Sequence, residues 1–296
     1  MPTLSGIVKD STGAFAQRLV RAYRRDTGAF VGQATSNPTT GAYSIATDYS
    51  GEHFVMMHDG TATEGDPYWD SVVLACHFNG TNGSTAFVDE KGHTLTPTGN
   101  SQISTTQSKF NGSAVYFDGA GDYITIPSGD FAFPGDFTVE AFVRRESAAS
   151  YFSILEGRSG ANATPYVFGL RSVGGTFRPD FFNGTVYSGT STSVPLSTWC
   201  HVAFCRQGTT LRMFVDGVAD AVTPTVSGTL TPSGTLLYIG AIVDPTYANG
   251  YINDLIITKA ARYTANFTPP SSAFLGAAVV SGGTQNILAF DRVTPV

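Results

Sequence analysis

Charge is scarce in this chain of 296 residues. Charged side chains make up 14%, where an ordinary soluble domain carries about 25%. The net charge of −6 gives no electrostatic footprint for nucleic acid or an anionic membrane. Arg18, Arg21, Arg24 and Arg25 form a local exception, and with Leu19, Val20, Ala22 and Tyr23 among them they read as the exposed side of a strand. Glutamate is confined to Glu52, Glu64, Glu90, Glu140, Glu146 and Glu156. Glycoside hydrolysis needs two carboxylates across the scissile bond. Glu140 has Phe142 and Arg144 at the positions where a same-face acid would stand, so it reads as a strand glutamate paired with an arginine.

Cysteine is nearly missing, and long apolar runs are too. Cys76, Cys200 and Cys205 are the whole complement. Cys200 and Cys205 lie in one strand pattern, WCHVAFC, at odd separation, so they face opposite sides and cannot easily pair. Three buried thiols and a reducing cytoplasm during folding are expected. The longest apolar run, Ala273–Val280, is too short for a bilayer. The opening MPTLSGIVKD lacks the basic-then-apolar pattern of a signal peptide, so secretion by that route is not expected. The histidines His53, His58, His77, His93 and His201 show no metal spacing, and no G-x-S-x-G elbow occurs. His201 reads as a packed, hydrogen-bonded strand histidine.

What the chain has is glycine, threonine, serine and 12% aromatics. That composition, with closely spaced turn signals, predicts an all-β protein. Residues 1–59 read as a small β-sandwich. Its strands are Leu4–Val8, Arg18–Arg24, Phe30–Ala34, Ala42–Thr47 and Glu52–Met57, with turns at Asp10–Gly13, Asp26–Gly28, Asn37–Gly41 and Tyr49–Gly51. Residues 60–71 are polar and read as a linker. A second unit spans 72–280. Its organising stretch, Phe110–Arg145, predicts strands at Ala114–Phe117, Tyr123–Ile126 and Phe137–Val143. In the last of these Phe137, Val139, Ala141 and Val143 share one face. Further strands are expected at Tyr151–Glu156, Tyr166–Arg171, Thr176–Phe182, Leu236–Ile239 and Tyr251–Thr258, with a hairpin of Trp199–Arg206 and Thr210–Val215.

The segments FNGSAVYFDGAGDYITIP, DFTVEAFV, WCHVAF with LRMFVDG, and GYINDLIIT follow one another in order. They resemble the laminin-G-like module of the concanavalin A-like lectin/glucanase superfamily, across roughly residues 72–275. The resemblance implies a jelly roll of two antiparallel sheets; it does not by itself imply a function. The glucanase branch carries E-x-D-x-E or E-x-D-x-x-E on one strand, and neither spacing occurs here. The first unit, SGIVKDSTG…VRAYRRDTG…TTGAYSI, resembles a carboxypeptidase-regulatory or transthyretin-like module. The segment ARYTANFTPP, and FDRVTP near the C-terminus, resemble phrases of bacteriophage proteins. The second of these implies that residues 284–296 return to complete the first sandwich, with Ile287–Val293 as its last strand; an ordinary tail docked on the second unit is the competing reading.

Many members of the superfamily hold a calcium ion between a loop carbonyl and an aspartate of the closing strand. The resemblance implies Asp254 for that role, with carbonyls near Gly80 or Gly119 and with Asp118 and Asp122 as further ligands. The same aspartates equally suit turn caps that accept their own backbone N–H groups. Carbohydrate would be met by exposed aromatics: Tyr151, Tyr187 and Tyr247 foremost, with Phe152, Tyr166, Phe181, Phe182 and Tyr251 behind them. Together these features lead to the expectation of a non-enzymatic virion accessory protein, on tail or capsid, assembled in the host cytoplasm. Its expected partners are other virion proteins, a host surface glycan and further copies of itself. A carbohydrate-binding adhesin outside a virion and a glycan hydrolase are the alternatives.

Overall fold

The computed structural model describes residues 3–9, 14–15, 17–24, 30–47, 51–58, 61–63, 65–148, 151–160, 163–164, 166–243, 246–276, 279–281 and 285–289. Among these the chain is all-β apart from one 3-10 turn, Trp69–Ser71. No helix among them is long and apolar enough to cross a membrane. Contacts divide the chain into two units, Pro67–Phe274 and the combination of Met1–Asp66 with Leu275–Val296.

The smaller unit has a four-stranded sheet in the order Gln285–Ala289, His53–His58, Leu19–Arg24, Phe30–Thr35. Thr3–Ile7 pairs separately with Ala42–Ala46. Leu4, Val8, Val20, Ala22 and Ile45 form its small core. Period-two alternation turns Arg21 away from the buried Val20 and Ala22 but leaves Arg18 and Arg24 on their side, so these arginines do not share one face. The expected turn at Asn37–Gly41 forms because the Asn37 carboxamide accepts the N–H groups of Thr39 and Thr40. Gly41 closes it at φ +67°, where a Cβ would meet the Val8 carbonyl at 2.2 Å.

The strand Gln285–Ala289 pairs antiparallel with His53–His58. It overlaps the expected Ile287–Val293 at residues 287–289; residues 290–293, Arg25, the expected turns at 10–13 and 26–28, and residues 49–50 of the expected turn Tyr49–Gly51 lie outside the described residues. The segment read as a linker is not structureless. Thr61–Thr63 forms a strand with Val279–Ser281. Its threonines suit a ladder, but their polarity hides the period-two signal that marks a strand.

The larger unit is a jelly-roll sandwich. One sheet has eight strands, ordered Val218–Ala219, Thr210–Val215, Cys200–Gln207, Phe137–Arg145, Asn249–Thr258, Ala114–Asp118, Gln102–Ser104, with Val72–Cys76 also paired to Asn249–Thr258. The other has seven, ordered Val186–Ser188, Thr176–Phe182, Val167–Val173, Tyr151–Glu156, Leu236–Ile239, Tyr123–Pro127, Thr96–Thr98. Their inner faces share one core that includes Phe137, Val139, Ala141 and Val143 from the first sheet and Phe152, Phe168, Phe181 and Ile239 from the second. Cys200 lies in this core, while Cys205 lies on the opposite face with Ala203 and Phe214. Burial pushes the Cys200 thiol up to about 12 and raises those of Cys76 and Cys205, so all three are poor nucleophiles.

The outer face of the eight-stranded sheet is covered by the segment after Thr258. Glu140 is fully buried beneath it. Its Oε2 accepts His201 Nε2–H at 3.0 Å and the Tyr263 hydroxyl at 2.8 Å, and its Oε1 lies 3.3 Å from Arg262 Nε. The arginine beside Glu140 is therefore Arg262, not Arg144, whose Nε is 2.5 Å from Glu146. Tyr263 stacks on Phe267 at 3.6 Å. The ARYTANFTPP phrase is a strap fastened to the sheet by a buried charge.

Candidate functional site

The outer face of the seven-stranded sheet carries polar, aromatic and aliphatic side chains in register. Thr125, Tyr238, Glu156, Val167, Phe182 and Val186 stand opposite one another in a line across six strands. A bulge between Ser153 and Leu155 resets the alternation, so that Glu156 faces outward while both Ile154 and Leu155 pack in the core. Next to that line a hollow of about 190 Å³ is walled by Tyr151, Arg158, Val167, Arg171, Phe182, Val186 and Ile242.

Two arginine–aromatic pairs make its walls. The Arg171 guanidinium lies 5.3 Å from the Tyr151 ring centre, and that of Arg158 lies 5.2 Å from Phe182. Each arginine is held by a buried carboxylate: Arg158 Nε by Glu156, and Arg171 Nε by Asp180 at 3.0 Å. Glu156 also accepts the Val243 N–H at 2.7 Å, which fastens the short hairpin of Ala241–Ile242 and Thr246–Tyr247. Asp180 also accepts the Ser188 hydroxyl at 2.5 Å. Burial raises the Asp180 carboxyl, against the pull of Ser188 and Arg171. Burial, and after it the Asp180 charge, push the Tyr151 phenol well up. At ordinary pH the tyrosine is a neutral amphipathic wall, apolar along the ring and polar at its tip.

Of the aromatics singled out by sequence, Tyr151 and Phe182 line the hollow. Tyr187 does not: it packs against the core on the other side of its strand, stacked on Phe181 at 6.2 Å. Tyr247 stands on the hairpin, stacked on Tyr123 at 6.5 Å. Phe152, Tyr166 and Phe181 are core residues, and Tyr251 lies against its ladder partner Tyr116 within the eight-stranded sheet. Sequence reading missed both arginines. Arg171 stands directly opposite Tyr151, and outward alternation of the two strands was the signal for it. No local signal links Arg158 to Phe182.

The aspartates proposed for calcium are occupied by hydrogen donors. Asp254 sits at φ +49° where the pairing with Phe137–Arg145 shifts register. It takes the His77 imidazole at 2.6 Å and the Phe274 N–H at 3.0 Å. Its neighbour Asn253 accepts the N–H groups of Lys109 and Phe110 and donates to the His77 carbonyl. Asp118 accepts the N–H of Ala120. Asp122 accepts those of Asn100 and Asp118, while burial raises its carboxyl. Among the described residues no group of three His, Cys, Asp or Glu side chains is arranged for a metal ion. Calcium takes oxygen ligands; these carboxylates, placed against N–H groups, do not fit one.

A laminin-G family model, described as concanavalin A-like lectin/glucanases superfamily, matches residues 118–266, just over half the chain. The chain belongs to this superfamily. Domain 4 of AbnA, an extracellular arabinanase from Geobacillus stearothermophilus solved in complex with arabinotriose, is similar at 18% identity and a TM-score of 0.50, over 64% of this chain and 94% of that one. The binding domain of botulinum neurotoxin serotype D/C VPI 5993 is similar at 15% identity and a TM-score of 0.47, over 66% of this chain and 50% of that one. No curated protein sequence matches. The superfamily assignment accounts for the sandwich.

Proposed function

We propose that this chain is a glycan-binding attachment protein, an accessory component of a bacteriophage particle that presents its jelly roll to carbohydrate on a host surface. The observation that carries the glycan reading is the hollow itself. Phe182, half-buried, offers ring surface of the kind that meets the apolar side of a pyranose, and the buried Tyr151 backs the hollow. Arg158, Arg171 and the hairpin supply the few fixed polar groups a sugar needs for orientation. A domain of this fold was solved with arabinotriose bound, which supports the same ligand class. The ARYTANFTPP strap, with its phage-like wording, supports the particle context.

The chain acts as a binder, not a hydrolase. Glu140 lies fully buried with His201, Tyr263 and Arg262 around it. Glu156 and Asp180 are each bound to an arginine, which opposes the free acid and base that glycoside hydrolysis requires. A glycan array probed with the purified chain and with Phe182→Ala tests the reading. Binding lost in the variant supports it. No binding by the folded wild type refutes it, and turnover of a bound polysaccharide refutes the non-catalytic part. Mass spectrometry of purified particles tests the virion assignment, which fails if the chain is absent from them.

A further inference from the structure

We propose that the hollow selects a sugar bearing a carboxylate, and that Arg171 reads that carboxylate. The inference rests on the glycan reading above and names its ligand class. It follows from how the four charged groups around the hollow use their atoms. Both carboxylates are buried beneath the surface and face their own arginines. Glu156 takes Arg158 Nε and the Val243 N–H. Asp180 takes Arg171 Nε and the Ser188 hydroxyl. Both are fully buried.

The arginines are the charges left at the wall. Arg171 is the more open, with 42% of its side chain exposed. Asp180 holds it by Nε alone, and its two Nη groups take no protein partner among the described residues. Nε anchored and Nη groups free is the geometry that leaves a guanidinium edge for a bidentate acceptor. The Tyr151 ring lies behind it, 5.3 Å from the guanidinium carbon. A neutral sugar hydroxyl can use both donors and acceptors from its site. This wall offers N–H donors, and its own carboxylates, Glu156 and Asp180, are buried with no exposed surface. A carboxylate supplies acceptors only, and it is the group that this surplus of donors matches. The hollow, at about 190 Å³, has room for one sugar ring, so a single terminal uronic-acid-type residue is the natural occupant.

The test is calorimetric titration of the whole chain with a glucuronate-terminated oligosaccharide and with its glucose-terminated counterpart. The same titrations are run on Arg171→Gln and Arg171→Lys. Gln keeps an N–H for Asp180, and a thermal melt of each variant confirms folding. The acidic oligosaccharide should bind the wild type about tenfold or more tightly than the neutral one, the ratio expected for one charge-assisted bidentate contact. Arg171→Gln should erase that preference and leave the neutral affinity in place. Arg171→Lys should restore part of it, because charge returns without the fork. Equal binding of both oligosaccharides by the wild type, or an acid preference that survives in Arg171→Gln, overturns the carboxylate assignment and leaves the glycan reading standing. Failure of the folded wild type to bind either sugar here, together with a blank array, overturns both.

Discussion

A Cβ on Gly169 would lie 2.8 Å from the hydroxyl oxygen of Tyr151. The same atom would lie 2.7 Å from the Phe152 carbonyl. Tyr151 therefore lies over bare backbone, and this is what sets one wall of the hollow. Gly169→Ala should lift the ring and strain the strand pair, costing about 1–3 kcal/mol of stability. Glycan binding should fall while the chain still folds at room temperature. A melting curve and an array signal both unchanged would show that Tyr151 is not positioned this way.

A second glycine fastens the strap. Gly217 sits at φ +76°, and a Cβ there would lie 1.9 Å from the Phe267 carbonyl oxygen. The Phe267 N–H donates to the Gly217 carbonyl at 2.9 Å. Gly217→Ala meets both a left-handed backbone and an immovable carbonyl, so a loss of about 2 kcal/mol or more is expected. Limited proteolysis should then cut near residues 260–270, where the wild type resists. Wild-type resistance in the variant would contradict the strap.

These two glycines mark the limit of what was legible in the sequence. The alternation of Phe137, Val139, Ala141 and Val143 gave away the core face, because a half-turn per residue is written locally in a strand. The separation of Cys200 from Cys205 placed them on opposite faces for the same reason. The partners of Glu140 were illegible, since Arg262 and Tyr263 lie more than a hundred residues downstream and arrive by tertiary folding. The hollow was half legible. Tyr151 and Phe182 are legible as aromatic candidates, but the arginine opposite Tyr151 needs the strand register, and the pairing of Arg158 with Phe182 needs the fold. Asp254 was read as a metal ligand because its strand resembles one. The bulge that turns it onto His77 has no signature in the residues N-D-L.

His77 gives a pH dependence with a definite sign. Its imidazole lies 2.6 Å from Asp254 on one side and 3.1 Å from Glu90 on the other. The hydrogen bond to Asp254 raises its pKa, against burial, with Asp254 and Glu90 charges adding to the rise. A group raised on folding contributes stability that is complete below its unfolded value of about 6.5 and is lost as pH rises through the folded value. Denaturant titrations should show the wild type losing stability relative to His77→Gln as the pH rises above the unfolded value of about 6.5. A pH-independent difference between the two would rule out this linkage.

The returning strand gives a prediction about the smaller unit. Gln285–Ala289 forms the edge of its four-stranded sheet beside His53–His58. Deleting residues 284–296 removes that ladder and leaves His53–His58 as the new edge. The deletion should lower the melting transition of the smaller unit and leave that of Pro67–Phe274 in place. Loss of the jelly-roll transition alone would mean that the tail belongs to the other unit.

The central claim is that carbohydrate sits on the outer face of the seven-stranded sheet. The most direct measurement is an experimental structure of the chain with an oligosaccharide that binds it. A sugar ring in the hollow, against Tyr151 and Phe182 with an Arg171 Nη group in hydrogen-bond range, is the predicted result. A bound sugar elsewhere on the chain, with the hollow unchanged, would contradict it.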